Sequence, residues 1–139
     1  MPSIGGDEMK YEYWFANLTQ LSCKRKLEIR QVIKTAEELY YIEETDKNAV
    51  ELSIKEHQAI RESQKNWDLE DEYEKLSEKR VRYIPIHDAR YPRRLKELAS
   101  APYALYVKGE IPKDVFSVAI VGARECSSYG KIMAEDFAK

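Results

Sequence analysis

The sequence predicts an α/β protein with an all-α N-terminal domain, and three observations carry that prediction. Through the first 79 residues, apolar side chains recur at helical spacing behind repeated helix-start signatures. From Arg80 onward, short β-branched runs alternate with helical patterns. The charge changes sign at the same place: residues 1–79 hold 12 Lys/Arg against 18 Asp/Glu, and residues 80–139 hold 11 against 7. The division is therefore a helical domain over 1–79 and the start of an α/β domain over 80–139.

The elements follow in order. In KYEYWFANLTQL, the residues Tyr11, Trp14, Phe15, Leu18 and Leu21 form one apolar stripe. CKRKLEIRQVI gives a second helix, with Leu27, Val32 and Ile33 as its expected core residues. Thr35 stands three residues before Glu38, a capping box opening the short helix AEELYYI. Ser53 and Glu56 repeat the signature before IKEHQAIRESQKNW. Asp68 caps LEDEYEKLSEKR, whose Leu69, Tyr73 and Leu76 face one way.

Beyond Arg80, VRYIPIHD reads as a strand whose Pro85 suits an edge. Pro92 stands where a helix can start, because its missing N–H is not needed there. A second strand is expected around Ala104–Val107, closed by Gly109. The run Phe116–Val121 is nearly all apolar, as a strand buried on both faces should be. SYGKIMAEDFA then reads as a helix with Ile132, Met133 and Phe137 inward. A parallel α/β sheet needs further crossover units to bury both faces, so the chain reads as a fragment of something longer.

Composition sets the remaining bounds. At 139 residues, with 35% charged and 43% apolar residues, the chain suits a globular protein and argues against disorder. No apolar run approaches the roughly 18–20 residues needed to cross a bilayer. The start MPSIGGDEMK lacks the basic-then-apolar layout of a signal peptide, and part of it resembles a cloning scar. Two cysteines, Cys23 and Cys126, lie in no metal-type spacing, which points to a reducing compartment. The expected location is the cytoplasm. The net charge of +4 over residues 80–139 permits a polyanionic partner without requiring one.

The stretch carrying chemistry is VAIVGARECSSYG, Val118 to Gly130. A strand delivering the backbone to Gly122, with a helix opening shortly after, exposes free N–H groups and a positive dipole end that suit an anion. Gly122 permits close approach, and Arg124 offers a planar fork able to grip a phosphate through two hydrogen bonds. Ser127 or Ser128 either caps the helix or donates to the same anion, and Gly130 lets the first turn pack tightly. The pattern is neither G-x-G-x-x-G nor G-x-x-x-x-G-K-[ST], so a generic dinucleotide or P-loop assignment is poorly supported. A plain strand-to-helix turn with a serine cap fits the spacing as well.

Three ordered blocks extend this stretch. They are Tyr91-Pro92-Arg93-Arg94-Leu95, then Pro102-Tyr103-Ala104-Leu105-Tyr106-Val107-Lys108-Gly109, then Val118 to Arg124 followed by Ser127-Ser128-Tyr129-Gly130. Together they resemble the DNA-processing protein A family, also called DprA or Smf. The helical first part looks like that family's SAM-like N-terminal domain, although Leu21-Ser22-Cys23-Lys24 stands where a Gly-x-Gly hairpin is usual. The resemblance implies a SAM-like module followed by the first part of an extended Rossmann-like sheet. It also implies single-stranded DNA binding, dimerisation through the Rossmann domain, and help in loading RecA recombinase during natural transformation, the competence pathway. By the same resemblance, Gly122 and Arg124 contribute to the DNA-phosphate pocket, with Ser127 and Gly130 in support; Ser128 joins them as the alternative cap or donor, and Arg93 and Arg94 are candidate auxiliary DNA contacts on their charge alone.

Other residues have plainer readings. His57 and His87 lie in no Cys/His cluster and are expected not to bind metal. Cys126 has no identifiable acid–base partner and is not expected to be a nucleophile. Arg90, Arg93, Arg94 and the run Lys24-Arg25-Lys26 read as solvated charge. Tyr11, Tyr13, Trp14 and Phe15 read as core, whereas alternation puts one of Tyr103 and Tyr106 outward. No cofactor is indicated, and the expected function is non-enzymatic. The alternatives are a Rossmann-type nucleotide-binding enzyme related to proteins that cleave a base from ribose phosphate, and a protein-interaction module.

Overall fold

A computed structural model describes residues 6–43, 51–112 and 116–139, so MPSIG, the first part of the expected cloning scar, lies outside it. The elements are α1 (Gly6–Ala16), α2 (Cys23–Val32), α3 (Ala36–Tyr40), α4 (Ile54–Asn66), α5 (Leu69–Glu78), β1 (Arg82–Pro85), α6 (Arg93–Lys96), β2 (Ala104–Val107) and α7 (Ser128–Phe137). The described residues are thus about half helical, with a small two-stranded sheet.

Local chemistry sets the helix starts. Thr35 accepts from the Glu38 N–H at 3.1 Å, and Asp68 from the Asp71 N–H at 3.0 Å. At Ser53 the box is reciprocal: its hydroxyl accepts from the Glu56 N–H, and the Glu56 carboxylate accepts from the Ser53 N–H at 2.7 Å. Ser22, where a Gly-x-Gly hairpin is usual in the resembled family, caps α2 by accepting from the Arg25 N–H. Each such cap satisfies an amide that the helix itself cannot.

The helix α1 is the hub. Met9, Tyr11, Glu12, Tyr13, Trp14 and Phe15 are all buried, because α3, α5 and β1 pack around it on several sides. Tyr11, Trp14, Phe15, Leu18 and Leu21 join Ile29, Leu39, Ile60, Ile84 and Tyr103 in the main core. Tyr13 turns to a smaller cluster with Met9, Leu76 and Tyr83. Edge-on aromatic contacts tie helix to strand: Phe15 meets Tyr103 at 5.3 Å, and Tyr13 meets Tyr83 at 5.5 Å. Trp14 donates its indole N–H to Ser63, and Trp67 packs against Tyr13.

The strands β1 and β2 pair antiparallel, with Arg82 opposite Val107 and Pro85 opposite Ala104. In a two-stranded sheet both strands are edges, so the proline is tolerated. Gly109, at φ +86°, makes the turn after β2, a conformation that favours glycine. Tyr103 is buried and Tyr106 is half exposed, which settles the alternation between them.

Four expectations are corrected. The run Phe116–Val121 forms no strand, and Phe116, Val118, Ile120 and Val121 are exposed. A strand is held by its neighbours, and no strand pairs with this run among the described residues. For the same reason the apolar stripe of α7 covers nothing: Ile132 and Phe137 point to solvent and Met133 is half-buried. In α2, Val32 is exposed and Ile29, not Val32, is the core residue. Lys26 is buried rather than solvated, and its ammonium donates to the Ala16 carbonyl at the end of α1, at 2.6 Å.

Candidate nucleic-acid interface

The predicted site residues occupy one exposed stretch leading into α7. Ser127 adopts extended backbone and its hydroxyl accepts from the Gly130 N–H at 3.1 Å, so Ser127 is the cap and Ser128 the first helical residue. The Lys131 N–H already bonds the Ser127 carbonyl, which leaves the Ser128 and Tyr129 amides outside the helical ladder. A Cβ on Gly130 would sit 3.4 Å from the Ser127 hydroxyl, so glycine there eases the cap.

Gly122 has a different status. A Cβ there would meet open space, so nothing in the protein itself requires a glycine. Arg124 is exposed and enters no ion pair among the described residues. Its donors are therefore free for a ligand. Cys126 is a free, exposed thiol, and among the described residues no group of His, Cys, Asp and Glu could hold a metal ion.

The auxiliary arginines lie elsewhere in sequence, on α6. Arg93 and Arg94 are both exposed, with Arg93 in a loose pair with Glu97 at 3.3 Å. Arg90 is held firmly instead: its Nε and Nη2 donate to the two oxygens of buried Asp88, at 2.9 and 2.7 Å. That fork and the Arg90 N–H hold the Asp88 carboxyl below its ordinary pKa, against the opposing effect of burial.

Sequence reasoning missed a second buried acid, Glu12. Its carboxylate accepts from Arg30 at 2.8 Å and from the Tyr103 hydroxyl at 3.0 Å, with His87 Nε2 3.3 Å away. Burial, reinforced by the Glu12 charge, pushes the Tyr103 phenol far above its usual value. Glu12 sits inside an aromatic run, where periodicity marks the apolar neighbours and says nothing of the acid between them.

The family model described as DNA recombination-mediator protein A matches residues 82–139, which contain all three sequence blocks. The resemblance to the DprA/Smf family is thereby confirmed over that segment, whose family acts in DNA processing during recombination. Neither a curated protein nor a solved structure matched the chain. Among the described residues no helix is long and apolar enough to cross a membrane.

Proposed function

We propose that this protein binds single-stranded DNA and helps load RecA recombinase in DNA processing during natural transformation, with no catalytic step of its own. In this reading residues 1–79 are a SAM-like domain, and residues 80–139 are the N-terminal part of a Rossmann-like DNA-binding domain. The full-length protein acts as a cytoplasmic homodimer joined through that second domain. Gly122, Arg124, Ser127, Ser128 and Gly130 hold a phosphate, and Arg93 and Arg94 add contacts.

The observation that carries this reading is the family match over residues 82–139, within which Arg124 stands uncommitted beside the opening turn of α7. A guanidinium with free donors next to unpaired amides is a good receptor for a phosphate oxygen. Arg124→Ala should weaken binding of oligothymidylate and lower the slope of log affinity against log salt by about 0.7, the value for one lost contact on a single strand. Fluorescence anisotropy at several salt concentrations measures both. Unchanged affinity together with an unchanged slope refutes the assignment.

A further inference from the structure

A second basic stretch, separate in sequence from residues 122–130, runs from the end of α5 through β1 to α6. Residues 79–96 contain seven Lys/Arg and one Asp/Glu, a net charge of +6 in a chain whose total is −2. Every one of those seven cations is exposed, while Tyr83, Ile84, Pro85, Ile86, Asp88 and Tyr91 between them are buried. The charge is thus carried on backbone that the core holds in place. The single acid within this stretch, Asp88, is paired with Arg90, while the neighbouring helix α5 carries Glu70, Asp71, Glu72, Glu74 and Glu78.

Two arginines of this stretch face the junction of α5 and β1. Arg82 and Arg90 line a cavity of about 160 Å³ together with Tyr73 and Ser77. Arg82 is pinned by one bond from Nη2 to the Gly109 carbonyl, and Arg90 is pinned through Nε and Nη2 by Asp88. Each therefore keeps donors for a ligand on a fork whose orientation is already fixed, which limits the ordering cost of binding.

Arg80 adds an independent observation. It has φ +53°, the only non-glycine residue with positive φ among those described. It ends α5 in the left-handed cap position: the Val81 N–H bonds the Leu76 carbonyl, and the Arg80 N–H bonds the Ser77 carbonyl, both at 2.9 Å. Glycine adopts this conformation without strain and arginine does not. The position thus carries a cation at a cost to the fold.

We propose that Arg80, Arg82 and Arg90 form a second anion-binding surface that takes the phosphodiester backbone of a nucleic acid, with a phosphate seated at the cavity between β1 and α5. The choice of nucleic acid over other polyanions rests on the proposed function, whereas the surface itself rests on the charge, the cavity and the strained arginine. The test uses the full chain and the double variant Arg80→Gly/Arg82→Gln, with fluorescent oligothymidylate and a duplex of equal length as probes. With at least one probe, affinity should fall about tenfold or more and the salt slope should drop by about 1.4 for the single strand, two contacts' worth.

Arg80→Gly alone provides the control against misfolding. It should raise the thermal midpoint while weakening binding, a pairing of effects that a merely structural role for Arg80 does not produce. Wild-type affinity and slope for both probes in the double variant overturn the proposal, as does equal loss of binding to polyglutamate. Loss in Arg124→Ala with none in Arg80→Gly/Arg82→Gln overturns the second surface and leaves the first intact. The converse result overturns the first and supports the second.

Discussion

At the scale of single residues, the buried charges decide most. Glu12 holds Arg30 and Tyr103 from inside the core, and its backbone carbonyl accepts from the Tyr83 hydroxyl at 3.0 Å. Glu12→Ala strands a buried guanidinium and a buried phenol, so it should destabilise by about 3–5 kcal/mol, measured by urea unfolding. A loss near zero would mean that water replaces the carboxylate. Lys26 belongs to the same class: burial lowers its pKa, and its ammonium donates to the Ala16 carbonyl.

Asp88 gives the pH dependence a sign. Because Arg90 depresses its folded-state pKa, its stabilisation is complete above the ordinary carboxylate value and disappears as pH falls through the depressed one. Glu56, held down by Arg25, acts in the same direction. Thermal melts should show stability falling below about pH 4, and Asp88→Asn should flatten that fall. An identical acid limb in wild type and Asp88→Asn would remove Asp88 from the account.

At the scale of elements, the caps were legible and the long-range pairings were not. Thr35, Ser53 and Asp68 announce helices because a cap is a contract among residues three apart, and all three hold. The strand around Ala104–Val107 was legible from its β-branched and aromatic texture and from Gly109 after it. The run Phe116–Val121 has the same texture with no strand to pair with among the described residues, and texture cannot supply one. Val121→Ser should therefore change stability by less than about 0.5 kcal/mol, where a doubly buried strand would lose about 2 kcal/mol or more. Chemical denaturation of the two proteins separates these outcomes.

Likewise Arg80 escaped notice because a left-handed helix end is usually signalled by glycine or asparagine. The wide burial of α1 was only half readable. Its stripe of Tyr11, Trp14, Phe15 and Leu18 was plain, but Tyr13 and Met9 are buried on another side by α5 and β1. Those partners lie some sixty to seventy residues away, beyond the reach of any local spacing rule.

At the scale of the whole molecule, one body of packed side chains joins the helices to the strand pair, with Ile84, Ile86 and Tyr103 in the same core as Trp14 and Leu39. Of the candidate site, the sequence revealed the residue types and their order, and a family resemblance that the comparison supports over residues 82–139. It did not reveal which serine caps α7, because both fit the spacing and only backbone geometry distinguishes them. A net of +4 over residues 80–139 averages a dense basic stretch with acids further on, and only the structure shows that the basic stretch lies on backbone held by the core.

The placement of the two indoles has a practical corollary. Trp14 and Trp67 both sit in the packed body, and residues 116–139 contain no tryptophan. Intrinsic emission is consequently a selective optical gauge: it registers the melting of that body and is blind to rearrangement around Gly122 and Arg124.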